Sequence, residues 1–290
     1  MHDFLQFVMA GVTVGAIYAL VALGFTIVYN ASGVINFAQG DFVMLGGMVT
    51  VALIQLQVHP LLAAGIAIVA TTCVAGALER FGIAPAGRAD PLTLIIITIG
   101  ASLFIQGGTQ LLLGKNQHTL PSFSGDTPLE FAGARLLPQS LWIIGVAAVL
   151  MVLVALFFKK TLIGRAIRAV AMNRSAAQLV GIPAHVVTLL SFGLAGLLGA
   201  IAGITAAPIT TTVYDLGLML GMKGFVAASL GGLGSGAGAV VGGLLVGLLE
   251  ALIAGYVSSA YKDAVPFIMI IGVLLLMPRG IFGGRLTERV

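Results

Sequence analysis

Charge is what this chain has least of. Asp, Glu, Lys and Arg make up 8% of its 290 residues, against roughly a quarter in an ordinary soluble domain. That leaves too little polar surface to coat a water-soluble globule of this length. Cysteine is almost missing as well: Cys73 stands alone, so neither an intrachain disulfide nor a cysteine-based metal cluster can form. The histidines (His2, His59, His118 and His185) are scattered, with no H-E-x-x-H pair. No G-x-x-x-x-G-K-[ST] loop occurs, so this chain cannot hold ATP in a P-loop. Gly232, Gly234 and Ala237 fit G-x-G-x-x-A by letter only, lying between apolar helical runs and not after a strand. A G-x-S-x-G elbow is absent, and no two acids share one helical turn within an apolar run. An intramembrane enzyme is therefore left without its usual parts.

What is present is apolar. AVILMFWYC residues supply 59% of the chain, and the mean hydropathy is +1.12. A hydrocarbon layer about 30 Å thick needs about 20 helical residues to cross it. Runs of that kind fall at roughly 4–29, 34–57, 61–83, 91–113, 140–158 and 185–207, with less tidy stretches near 223–234, 237–257 and 264–278. The expected fold class is all-α: one polytopic membrane domain over 1–290, with about eight to nine transmembrane helices and broken or re-entrant segments. Met1-His2-Asp3 lacks a basic n-region, so the first run reads as a span that stays. All the prolines fall at or near segment ends or in loops, where the missing backbone N–H is tolerated.

Basic residues orient the chain. Arg80, Arg88, Lys159, Lys160, Arg165, Arg168, Arg174, Arg279, Arg285 and Arg289 share one side of a nine-span model, leaving Lys115, Arg135, Lys223 and Lys262 on the other. The positive-inside rule then puts the N-terminus outside and the C-terminus in the cytoplasm. Residues 114–139, with Asp126 and Glu130, form a polar outer loop, and 208–222 a second outer connection. The cytoplasmic loop at 159–185 is patterned. Ile163, Ile167 and Val170 recur at helical spacing while Arg165, Arg168 and Met172 take another face, which predicts an amphipathic helix. Ser175-Ala176-Ala177-Gln178 reads as a capping box, and Gly181 with Pro183 as a stop, predicting a short helix at about 176–180. From this pattern alone the loop is equally a positively charged connector lying on anionic lipid.

Asp41 and Glu250 are the acids best placed to lie within the apolar layer, where they must face protein or water. Asn30-Ala31-Ser32-Gly33 should break a helix, so Asn36, Phe37, Gln39, Gly40 and Asp41 read as a broken second span beside a translocation path. A second interrupted stretch, around 221–238, adds Lys223 and Gly224 to that path. The competing reading makes 36–41 an interfacial helix start, with Asp41 at its positive end. Glu250 reads as an interhelical hydrogen-bond partner. Gly234, Gly238 and Gly242 recur every fourth residue, and Gly243 and Gly247 add a second row, a packing signal for close helix approach.

Three stretches carry a resemblance: Gly164 to Ile182 (GRAIRAVAMNRSAAQLVGI), Ile35 to Val49 (INFAQGDFVMLGGMV) and Gly221 to Leu252 (GMKGFVAASLGGLGSGAGAVVGGLLVGLLEAL). They resemble the permease subunits of ABC importers for branched-chain amino acids, the LivH type, and the likeness spans essentially the whole chain. Members often have His at the position of Gln39 and Pro near that of Ala237. The resemblance implies a coupling segment that docks in a groove of an ATPase subunit, built from Arg168, Asn173, Ser175, Ala176, Ala177, Gln178, Leu179 and Gly181. It also implies two cytoplasmic ATPase subunits carrying ATP and Mg, a second related permease, a periplasmic binding protein and a bacterial inner-membrane location. No cofactor in this chain and no nucleic-acid partner are expected. The solutes would be leucine, isoleucine or valine; urea, short amides and aromatic acids stay open. A secondary transporter without an ATPase, or a scaffold bundle, is the alternative.

Overall fold

The computed structural model describes residues 2–87, 89–125, 127–131, 134–277 and 279–283. Arg88, Asp126, Pro278, Arg285 and Arg289 lie outside them.

Among the described residues the regular structure is helical apart from one small hairpin. In order it forms α1 (His2–Ser32), α2 (Gln39–Gln55), α3 (Pro60–Ala77), a π-helical stretch Leu78–Ile83, α4 (Ala84–Ala86), α5 (Pro91–Leu113), β1 (Leu129–Phe131), β2 (Ala134–Leu136), α6 (Pro138–Lys160), α7 (Leu162–Met172), α8 (Arg174–Leu179), α9 (Ala184–Thr210), α10 (Leu216–Gly231), α11 (Gly236–Tyr256), a 3-10 stretch Ser259–Ala264 and α12 (Val265–Leu276). Proline opens α3, α5 and α6 at the first helical turn, where its missing N–H costs nothing. Six helices are long and apolar enough to cross a bilayer, counting Pro60–Ala86 as one. α2 and α10 are apolar but have only 17 and 16 residues, and α12 has 12. At about 1.5 Å per residue the first two reach about 25 Å. In place of equal crossings, the described residues thus combine six full-length helices with shorter ones.

α1 is the centre of the molecule. Apolar all round, it is enclosed by α11, α9, α10, α6 and α2 and is buried along most of its length. α9 lies beside it, also largely buried, and its Pro208 sits inside the last turn. Because α9 runs to Thr210 and α10 begins at Leu216, the connection expected over 208–222 shrinks to 211–215. α3, α5 and α6 form the outer wall, and apolar side chains such as Leu62, Ile96, Leu103 and Val152 point outward from it. For a soluble protein such a wall would be an aggregation hazard; it is the expected surface toward lipid or a partner subunit.

Glycine sets the spacing of the core, but its rows serve different neighbours. Cβ atoms added at Gly243 or Gly247 would strike the α1 backbone at Ala19 and Gly15, so this row joins α11 to α1. Gly238 and Gly242 face Gly231 and Ala227, joining α11 to α10. Gly234 does not belong to either row, contrary to its spacing in the sequence. It lies in the turn before α11 with φ +95, and its carbonyl accepts a 2.9 Å hydrogen bond from Asn30 Nδ2. A positive φ there explains the glycine better than packing does.

One end of the bundle gathers the C-terminus of α1, α7, α8, the 232–235 turn and residues 279–283, where Ile281 and Phe282 N–H donate to Leu230 and Gly231 carbonyls. At the opposite end, Gln6 exchanges two hydrogen bonds with the backbone of Arg135 on the hairpin. There too His118 pairs with Thr212 through backbone hydrogen bonds, and Gln55 bonds to the His118 ring.

Candidate functional site

The first candidate is the protruding α7–α8 element. Thr161 leaves the helical conformation after α6, and its side chain accepts from Gly164 N–H at 3.0 Å, starting α7. Only glycine fits at 164, because a Cβ would meet the Phe157 carbonyl. Ile167 and Val170 are buried against Ala31, Ala177, Ala184 and Val187. Ile163, assigned to that inner face by spacing, is instead 44% exposed, and Gly164 takes its place.

The short helix exists but is capped differently from the sequence expectation. Asn173 adopts an extended conformation and its Oδ1 accepts from Ala176 N–H at 2.9 Å, so the helix starts at Arg174 and Ser175 is inside it. An Asn that already supplies the cap leaves the Ser175–Gln178 box nothing to do. The C-terminal stop is as read: Gly181 has φ +88, its N–H donates to Gln178 O, and Ile182 N–H donates to Ala177 O. That pair of bonds is a Schellman motif. Ala177 anchors the element, while Arg174, Ser175, Ala176, Gln178, Leu179 and Gly181 face outward. Met172 and Leu179 are each 89% exposed. Large apolar side chains held outward by two caps form a surface suited to a protein partner. Arg168 sits apart from this tip, on the rim of an apolar cavity of about 360 Å³ that includes Leu23, Ile27, Met151 and Phe158.

The second candidate is the break between α1 and α2. Ser32 Oγ accepts from Val34 N–H and Asn36 Oδ1 from Ala38 N–H, holding the chain in an irregular, largely buried turn. α2 then begins beside Gly24, about two turns before the end of α1, because the Gln39 amide occupies the space a Cβ on Gly24 would need. The start of α2 meets the start of α10: Gly40 lies against Gly217 and Gly221, and Gly217 against Asp41. Asn36, Gln39 and Asp41 are each 0% exposed. Gln106 on α5 donates to Asp41 Oδ1 at 2.9 Å, Gln39 Nε2 donates to Ala195 O, and Phe37 N–H donates to Thr98 Oγ1.

Lys223 is not part of this group, nor does it lie in an outer loop as its place in the charge count implied. It is buried mid-way along α10, with Nζ 2.8 Å from Glu250 Oε1 and 2.7 Å from Asp263 Oδ1. Tyr18 OH donates to the other Glu250 oxygen at 2.8 Å, and the ammonium lies 5.6 Å from the Tyr18 ring centre. Gly224 packs against Val21 on α1. Glu250 is thus the interhelical partner its sequence context indicated. Burial cannot be tolerated by Lys223 without these partners, and in the sequence it was visible only as one basic residue inside an apolar run. Asp263, in the 3-10 stretch, is held below the usual carboxylate range mainly by the Lys223 hydrogen bond.

Sequence reasoning also missed the inner face of α5. Its buried residues are Thr98, Ser102 and Thr109, with Gln106 beside them. A polar stripe at i, i+4, i+8 and i+11 was the available signal. No group of three or more metal-ligating side chains occurs among the described residues.

Comparison with known proteins bears on the whole chain. The model of the branched-chain amino acid transport system permease component family matches residues 7–274. The chain belongs to that family. The LivH permease protein of the high-affinity branched-chain amino acid transport system of Escherichia coli (strain K12) is 37% identical over 99% of this chain and 98% of its own length. The BraD permease protein of the corresponding system of Pseudomonas aeruginosa is 32% identical over 100% and 99%. A more distant relative, the ribose import permease RbsC of Escherichia coli (strain K12), shares 27% identity over 90% of this chain and 82% of its own. Among solved structures, PsaBC from Streptococcus pneumoniae in complex with Fab matches with TM-score 0.51 and 13% identity, covering 97% of this chain and 94% of that one. At that identity the match speaks for the fold alone. This family member is accordingly a multi-pass membrane permease built from apolar helices.

Proposed function

We propose that this permease is the membrane subunit of an ATP-driven ABC importer that carries branched-chain amino acids across the bacterial inner membrane. The observation that carries the reading is the capped, outward-facing α8: a rigid apolar tip at Leu179 on a family member with no nucleotide-binding loop of its own. A tip of that kind takes force from another protein. Two cytoplasmic ATPases, with ATP and Mg, would bind the α8 tips of this chain and of a second related permease. The N-terminus then lies outside and the C-terminus inside, so that the hairpin end faces a periplasmic binding protein. ATP binding would pull on Asn173–Gly181 and rock the helices, opening the region around Asn36, Phe37, Gln39, Gly40 and Asp41 alternately to each side. The paired Lys223 and the packed Gly224 serve the scaffold in this account.

Reconstitution tests it. Complex containing this chain, its partner permease, the ATPases and the binding protein should accumulate leucine, isoleucine or valine in vesicles only with ATP. Uptake of urea, a short amide or an aromatic acid in their place would redirect the substrate class. Uptake without any ATPase would remove the importer reading.

A further inference from the structure

Every carboxylate oxygen of Glu250 is used, but Asp41 keeps one that is not. Its Oδ1 accepts from Gln106 Nε2 at 2.9 Å, whereas Oδ2 is buried with no hydrogen-bond partner. A buried carboxylate oxygen without a donor is costly, and such an arrangement persists where the missing donor arrives from elsewhere.

The surroundings fit a donor that comes and goes. α5 covers Asp41 through Ser102 and Gln106, and its buried residues Thr98, Ser102 and Thr109 are all polar. Leu94, Ile97, Ala101 and Ile105 flank this stripe and pack against the neighbouring apolar cluster, so the contacts over Asp41 are polar and those beside it apolar. Glycines with left-handed φ lie on both sides of that helix, Gly87 at +58 and Gly114 at +86. Asp41 also sits at the start of α2 against the start of α10, two helix ends that would favour a negative group placed there. Asp41 belongs to no group of three or more metal-ligating side chains among the described residues.

We propose that Asp41 Oδ2 receives the ammonium group of the transported solute when α5 swings from α2, so that the site selects a protonated amine. This rests on the importer function proposed above and names the group of the solute that this chain reads. A charge-assisted hydrogen bond of this kind carries roughly a tenfold or larger effect.

The test uses the complete complex in vesicles, with Cys73→Ser removing the single native thiol. Asp41→Asn should lower leucine uptake roughly tenfold or more at unchanged amounts of assembled complex, and Asp41→Glu should restore much of it. Ser102→Cys should react with a small thiol reagent during ATP turnover. Saturating leucine should slow that reaction, while its 2-oxo acid analogue, which has the same side chain and no ammonium, should not. Adding Asp41→Asn should abolish the leucine protection. Uptake by Asp41→Asn at the unmodified rate, equal protection by the oxo acid, or no labelling at Ser102→Cys in any state would each overturn the assignment and leave the importer reading standing. If Asp41→Asn does not assemble, the labelling arm decides. Failure of the unmodified complex to move leucine would instead remove the proposed function, and this assignment with it.

Discussion

Around Lys223 each charged group has a partner, with Glu250, Asp263 and Tyr18 converging from three other segments, whereas around Asp41 one oxygen is left open beneath a helix whose fully buried side chains all carry hydroxyls. Both sites sit among apolar helices and both centre on an ionisable side chain. Their neighbours explain the difference. The Lys223 cluster ties α10 to α1 and α11, which are themselves joined glycine to glycine, so nothing there can shift without exposing a charge. Asp41 lies where α5 meets α2 through Gln106, a polar contact that water or a solute can replace, with the apolar packing of Leu94, Ile97, Ala101 and Ile105 to its side. The first arrangement belongs to a fixed frame and the second to a part that opens.

The largest effect should come from breaking the paired site. Glu250→Leu leaves the buried Lys223 ammonium with Asp263 alone, and losing one partner of a buried pair costs about 3–5 kcal/mol. Thermal unfolding in detergent should show a large drop in midpoint. Lys223→Met with Glu250→Leu should recover much of that loss, because apolar side chains of similar size need no partners. A double variant as unstable as the single one would contradict the account.

Next in size is the joint that carries this cluster. Gly247→Leu drives a side chain into the backbone of Gly15, which has no room to give. A cost of about 1–3 kcal/mol or more is expected from overpacking, read as lower expression and a lower unfolding midpoint. Gly100→Leu on α5 has nothing within 4 Å of its Cβ and should be nearly neutral. Equal losses at the two positions would erase the distinction between frame and moving part.

A smaller effect tests how far the sequence could be read at the α8 tip. Its existence was legible: apolar spacing, an Asn/Ser cluster and a Gly stop are local signals, and they placed the short helix within two residues. Which residue caps it was not. Asn173 and Ser175 are both good caps, and the choice depends on how α7 ends, with Ile167 and Val170 tied to α1 and α9. The same limit applied in the membrane. Glu250 and the glycine rows could be found by spacing, but the pairing of Lys223 with residues 205, 27 and 40 positions away could not. Asn173→Ala should destabilise the tip by about 1 kcal/mol and, under the proposed importer function, lower ATP-dependent uptake by the reconstituted complex. Ser175→Ala should change the helix little. The reverse order would restore the capping box.

The smallest expected effect concerns acid. Asp263 is the exposed member of its cluster, with its side chain 48% accessible, and its hydrogen bond from Lys223 holds its carboxyl below the ordinary value of 3.8. A lowered native pKa means that the folded state releases the proton more readily than the unfolded chain. Asp263 therefore contributes its stability in full above the ordinary carboxylate value, and loses it as the pH falls through the lower native one. Solvent screening keeps this contribution modest. As pH is lowered from neutral, the gap in unfolding midpoint between the unmodified protein and Asp263→Asn should stay constant and then close in the acid range. A gap that widened on acidification would mean that Asp263 is held above its ordinary value, and that Lys223 is committed to Glu250 alone.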